Sequence, residues 1–288
     1  MSFTRKRLDV TISLGTGAFG EDGSNTVTLT GLRVQAMIQA VPAPSMPAIQ
    51  LRIYGLPDAM LNQLTAVGLV NAGVRFNNTI LLSAGDDESG MTTVYNGGIS
   101  ESWEDFSGVP DAVLNVIGMA GLAASLKPVG ALSYAGTVDV STIMQELANT
   151  MGLTFENNGV QVQLSNPYFP GTALAQARAC AAAADIYFTI DRTTLAIWPK
   201  NGSRQVKGDV PVVSPETGMI GYPVVSSNGI IVATAFNPDI VHGGSIQVTS
   251  SRKIACGKWL VTGVTHYLES ETPDGQWSTR IEGKPPYV

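Results

Sequence analysis

The sequence predicts a mainly β protein with an α+β insert: two β domains plus a small duplicated helix-strand-strand module. Three observations carry this expectation. Short strands recur at about ten-residue spacing through the first 119 residues and again after residue 229, with turn residues between them. The stretch 141–198 changes character and runs twice through helix, strand, turn and strand. Glycine accounts for 31 of 288 residues while charged residues are only 14%, against about 7% and about 25% in ordinary soluble domains.

Strand periodicity opens the chain: residues 7–14 alternate, with Leu8, Val10, Ile12 and Leu14 on one face. Residues 15–23 form a turn, and 25–41 hold two β-rich pieces hinged at Gly31. A break at Pro42, Pro44 and Pro47 precedes a strand with Ile49, Leu51 and Ile53 in alternation. Residues 57–67 carry the only helical pattern of this region, with Met60, Leu61, Leu64 and Val67 on one side and Pro57 suited to the first turn. Strands resume at 73–84, 92–103 and 112–119.

In the middle stretch Ser141 is the expected N-cap of a helix bearing Ile143, Met144, Leu147 and Met151, stopped by Gly152. Strands at 153–155 and 160–164 flank a turn at 157–159. Thr172 caps a second, alanine-rich helix with Leu174, Ala177, Ala181 and Ala184 inward, followed by strands 186–188 and 195–198 around a turn at 191–194. Both helices are expected to cover one four-stranded sheet. After a polar connector at 200–204, strands follow at 229–235, 245–250, 258–267 and 277–283. The domains expected are therefore residues 1–108, residues 109–133 with 204–288, and an inserted module at 134–203.

Composition removes whole function classes. An apolar share of 44% excludes intrinsic disorder, and a net charge of −6 speaks against grip on nucleic acid through its phosphates. So few charges leave little polar surface for a free monomer, which points to burial between subunits. The long uncharged stretch 112–126 is too short to cross a bilayer and holds Asn115 and two glycines. No apolar region follows the basic N-terminus, so no secretion is expected. Cys180 and Cys256 lie 76 positions apart, match no ligand spacing, and are expected as free thiols of a reducing compartment.

Motifs that could carry chemistry are few. Residues 15–20 read Gly-Thr-Gly-Ala-Phe-Gly after a strand, but Glu21, Asp22 and a second strand follow where a dinucleotide site needs a helix, so a hairpin tip is expected. Asp86, Asp87 and Glu88 lack the alternating ligands of a calcium loop. Glu101, Glu104 and Asp105 form an acidic cluster that could in principle serve hydrolysis, but no matching acid group or sugar platform accompanies it beyond Trp103. His242 and His266 are the only histidines and sit in no metal or triad pattern. Asn77 and Asn201 begin glycosylation sequons without a secretory signal. No catalytic, cofactor or metal residue is expected.

The stretches 214–223, 229–232, 237–248, 257–267 and 275–283 read physically as a small barrel, turning at Asn237-Pro238 and Gly243-Gly244. Together they resemble the C-terminal β domain of baseplate hub proteins from contractile-tailed bacteriophages. The duplicated middle module, with 167–169 and 195–199, looks like the small domain inserted in those hubs, and 31–56 with 95–118 looks like their first barrel. The resemblance implies a homotrimer with two tube-protein-like barrels per chain, a pseudo-sixfold ring adapting the hexameric tail tube protein to the trimeric central spike protein. It implies a virion location in the tail baseplate after assembly in the host cytoplasm. Baseplate wedge and tape-measure proteins become neighbours, and DNA passes a central channel. No sequence-specific nucleic acid binding and no membrane insertion follow. Glu101, Glu104 and Asp105 are the acidic residues expected to face that lumen. Without a fused lysozyme segment, cell-wall cutting is expected on another protein. Rival readings are the hub of a related injection machine or non-contractile tail, and a carbohydrate-binding β protein presenting Trp103, Trp198, Trp259 and Trp277.

Overall fold

The computed structural model describes residues 4–19, 23–42, 44–65, 77–108, 111–205 and 208–286. The chain divides into two compact units. The first comprises Met1–Gln39, Ala48–Leu122 and Thr265–Ser278, and the second Ala40–Pro47, Ala123–Val264 and Thr279–Val288.

The first unit contains strands β1 (Lys6–Ser13), β2 (Thr26–Leu29), β3 (Val34–Ala40), β4 (Ala48–Tyr54), β5 (Thr79–Asp86), β6 (Gly90–Asp105) and β7 (Val113–Met119), with helix α1 (Asp58–Leu64). Their pairings are antiparallel, in the order β3-β4-β7-β6-β5-β1-β2. The period-two pattern does what it promised: in β4, Ile49, Leu51 and Ile53 are buried while Gln50 and Arg52 are exposed. Each such side chain contributes about 1.5–3 kcal/mol on burial. Leu61 and Leu64 of α1 join this core. The helix ends at Leu64; positions 66–67, expected in it, and 73–76, expected in a strand, lie outside the described residues. Strand β6 is long enough to need correction: a register shift between Ile99 and Glu101 turns Ser102, rather than Glu101, toward the core.

The second unit begins with short strands β8 (Leu132–Ser133) and β9 (Thr137–Asp139), preceded by α2 (Leu122–Leu126), which straddles the boundary. Helix α3 (Val140–Thr150), β10 (Thr154–Asn157), β11 (Gln163–Ser165), β12 (Tyr168–Phe169), helix α4 (Ala173–Ala183), β13 (Ile186–Asp191) and β14 (Thr194–Pro199) follow. The N-cap of α3 is Asp139, whose carboxylate accepts from Ser141 N at 2.8 Å; Ser141, expected as the cap, is already inside the helix. Thr172 caps α4 as expected, its hydroxyl accepting from Ala175 N.

The expected four-stranded sheet has three strands among the described residues, in the order β10-β14-β13, with β10 parallel to β14. The segment expected as the fourth strand leaves because Asn157 Oδ1 accepts from Val160 N at 2.8 Å and Gly159 takes φ 87°. That turn sends the chain back upstream, so β11 pairs antiparallel with β9 rather than with β10. Periodicity identifies a strand but not its partner.

The remaining strands are β15 (Val212–Val213), β16 (Met219–Ser226), β17 (Gly229–Ala235), β18 (Ser245–Val248), β19 (Gly257–Ser270) and β20 (Trp277–Lys284). They run β16-β17-β20-β19, with β18 beside β19 and β15 parallel to β18. Their core gathers Ile230, Val232, Ile246, Val248, Val261 and Ile281. Strands β19 and β20 contribute residues to both units. The structure is thus mainly β, a large antiparallel sheet with small α+β sheets, as the sequence implied. Among the described residues the strand order does not return to its first member, so no closed barrel is formed.

Candidate assembly surfaces

The acidic cluster lies at the end of β6 in the first unit. The β-pleat divides it: Glu101, Trp103 and Asp105 fall on one side and Glu104 on the other. Glu101 is exposed, Glu104 and Asp105 are half-buried, and Asp105 accepts from Ser107 N at 2.8 Å, which holds its carboxyl below the usual range. Trp103 (42% exposed) and Phe106 (48%) stand among these acids. A paired-carboxylate arrangement, which needs both groups converging on one cleft, is not what this strand presents.

The second unit buries a charged cluster that spacing alone does not reveal. Arg204, with its side chain only 8% exposed, donates to both oxygens of Glu156 at 2.8 and 3.0 Å and to Asp191 Oδ2 at 2.6 Å. Glu156 comes from β10, Asp191 from the end of β13 and Arg204 from the connector, 48 and 13 positions away. Burial alone would raise the Glu156 carboxyl, but hydrogen bonds from Arg204 and Asn158 overcome it and hold the group low. His242 is buried beside this cluster; desolvation first, and the Arg204 charge second, push it down to about 4. Its Nδ1 has no hydrogen-bond partner among the described residues, and its ring meets Trp198 edge-on at 5.4 Å. Tyr187, Trp198, His242 and Lys284 line a cavity of about 50 Å³.

Gly243 closes this region. It sits at φ 83°, accepts from Arg204 N at 2.7 Å, and any Cβ there would lie 2.5 Å from the Trp198 ring. Gly243→Ala is therefore expected to cost about 2–4 kcal/mol in chemical denaturation, from left-handed backbone strain plus displacement of a packed ring. A loss below about 1 kcal/mol would show that the ring yields freely.

The other motifs resolve into structure. Gly15 donates to Asn78 Oδ1 and Phe19 bridges Ser24 as part of a hairpin, with Gly20, Glu21 and Asp22 outside the described residues. Asp86 accepts from Lys6 and from Ser89 N, and Asp87 pairs with Arg7. Both cysteines are free, Cys180 buried and Cys256 exposed. Among the described residues no group of three or more His, Cys, Asp or Glu is placed to hold a metal. Two of the four tryptophans are closed to a role as sugar platforms: Trp198 (3%) and Trp259 (9%) are buried, the latter donating to Ala255 O. No helix is long and apolar enough to cross a membrane among the described residues.

A surface that no motif marks lies on the edge strand β16. Ile220 (52%), Tyr222 (66%) and Val224 (61%) are exposed there, and the turn Lys253–Ala255 packs against the strand with Ile254 76% exposed. The Arg252 guanidinium lies 5.3 Å from the centre of the Tyr222 ring. The sequence does hold one signal for it: residues 217–238 contain no charged side chain.

Comparison with known proteins completes the assignment. The chain resembles the tail protein of Neisseria meningitidis MC58 (TM-score 0.63, 10% identity, 96% of each chain). It also resembles the 43 kDa tail protein of prophage MuSo2 from Shewanella oneidensis (0.61, 10%, 97% of this chain and 98% of that one). A third likeness is to the E. coli c3393 protein, described as a component of the type VI secretion system similar to T4 tail proteins gp27 and gp5 (0.57, 10%, 89% and 74%). No curated protein sequence matches. Residues 7–274 match the family model described as Baseplate hub gp41. With a family match over nearly its whole length, the chain belongs to the Baseplate hub gp41 family of structural phage tail baseplate proteins.

Proposed function

We propose that three copies of the chain form a ring in the tail baseplate, joining the hexameric tail tube to the trimeric spike around a channel for DNA. The observation that carries this reading is the division of one polypeptide into two compact, sheet-built units. Three copies then offer six units, which is how a threefold ring can meet a sixfold tube. In this proposal each of the two sheet-built units supplies one hub domain, the second of them carrying 134–203 as its insert.

The family is structural, which implies a non-enzymatic role. The partners are the tube protein, the spike and, around them, wedge and tape-measure proteins. The likeness to a type VI secretion component supports the equivalent place in a related injection machine as the second reading. A net charge of −6 suits a wall past which DNA slides, because phosphates are repelled rather than held.

Reconstitution tests the reading. The chain mixed with its tube and spike proteins is expected to give a complex in which electron microscopy finds threefold symmetry at the hub. Failure to bind either partner would remove the adaptor role. Electrophoretic mobility shift with duplex DNA at about 0.1 M salt is expected to show no complex; tight, salt-sensitive binding would contradict the passive channel.

A further inference from the structure

Resting on the trimeric reading above, we propose that copies of the chain associate head to tail. The apolar, cationic patch on β16 of one copy seats on the acidic, aromatic surface around Trp103 and Phe106 of the next.

Two surfaces on one chain call for each other. On β16, Ile220, Tyr222 and Val224 are half or more exposed, and β16 is an edge strand bonded on one side only, to β17. Edges are blunted by charge, proline or bulges; β16 has Pro223 and a register shift between Ile220 and Val224 but no charge anywhere in 217–238, and its exposed apolar side chains suit a strand covered in the assembly. Its rim is basic: Arg252, Lys253 and Lys258 are exposed around Ile254, with Glu216 the one acid on the adjoining turn. Among the described residues of the first unit, Trp103 and Phe106 are the only large apolar side chains exposed. On the face of Trp103 the strand carries the acids Glu101 and Asp105, the exposed Asp111 follows Phe106 in the chain, and Arg52 is the nearby cation.

Charge decides the pairing. Two β16 patches face to face would oppose Arg252 and Lys253 to their own copies, and two acidic surfaces would repel likewise. A twofold contact between like surfaces is therefore disfavoured, while basic patch against acidic surface matches apolar centre to apolar centre and rim to rim. Each copy carries one of each surface, so the contact is heterologous and propagates into a ring when the rotation closes. The proposal takes Glu101 and Asp105 out of the channel wall and puts them at the subunit contact.

Sedimentation velocity on the full chain, across a concentration series, tests this. Four proteins are compared: the unaltered chain, Arg252→Glu/Lys253→Glu, Glu101→Lys/Asp111→Lys, and all four changes together, with thermal unfolding as the check on folding. The unaltered chain is expected to trimerise and each double variant to associate at least about tenfold more weakly. The fourfold variant is expected to recover because the charges are exchanged. A trimer indifferent to both double variants, or a fourfold variant that fails to recover, overturns the head-to-tail pairing and leaves the hub reading standing. An unaltered chain that stays monomeric at every concentration overturns the head-to-tail pairing too, while the hub reading stands or falls with the reconstitution above.

Discussion

Arg204→Met is expected to lower the stability of the second unit by about 3 kcal/mol. The guanidinium is nearly sealed from water and bonds two carboxylates that are each about one quarter to one third exposed, Glu156 at 31% and Asp191 at 24%. Removing the cation leaves two partly desolvated anions facing each other, and their remaining access to water keeps the cost at the lower end for a buried network. Arg204→Lys is not a rescue, because one ammonium cannot reproduce the fork that reaches both oxygens of Glu156 and also Asp191. Urea unfolding gives the measurement, and a cycle against Glu156→Gln/Asp191→Asn gives the assignment. In that neutral background Arg204→Met should cost much less. Equal losses in both backgrounds would mean that the arginine acts through its packing.

His242 is expected to make the protein lose stability between pH 6.5 and about 4. Its folded-state value is depressed to about 4 by burial and then by Arg204, while the unfolded chain titrates near the ordinary 6.5. In that window the unfolded state binds the proton and the folded state does not, so stability rises with pH and falls on acidification. The full effect is about 3 kcal/mol, since each tenfold loss of proton affinity on folding corresponds to about 1.4 kcal/mol, and it is complete once pH drops below the folded value. Glu156 also has a depressed value, so its contribution is lost only at more acid pH, as the folded carboxyl itself takes a proton. His242→Gln, neutral throughout, should flatten the curve between 6.5 and 4 while leaving the acid limb. An unchanged slope would place the titration elsewhere.

Sequence periodicity is a sound guide wherever one face of a strand is buried. Ile49, Leu51 and Ile53 lie where alternation puts them, and strand 229–235 matches its expected bounds. Capping chemistry locates Thr172 correctly but misses Asp139, because aspartate and serine two positions apart offer the same signal. Adjacency suggests Glu101, Glu104 and Asp105 as one lumen-facing group, yet adjacent residues on a strand point to opposite faces, and the bulge after Ile99 resets which one. Nothing local marks Arg204, Glu156 and Asp191 as partners, since a network across 48 residues has no sequence period. The β16 surface is legible in principle as 22 residues without charge, 217–238, but an uncharged strand reads the same at a core as at an edge.

What the sequence determined alone was the class of the protein: mainly β and weakly charged, with an α+β stretch. Those properties are sums and short periods, and each residue contributes to them independently of its distant neighbours. Which strands pair, that β11 leaves its own hairpin for β9, and which apolar strand is left at an edge were decided only in three dimensions. Pairing depends on backbone hydrogen bonds whose partners lie tens of residues apart, and a backbone group carries no side-chain signature of the strand it will meet.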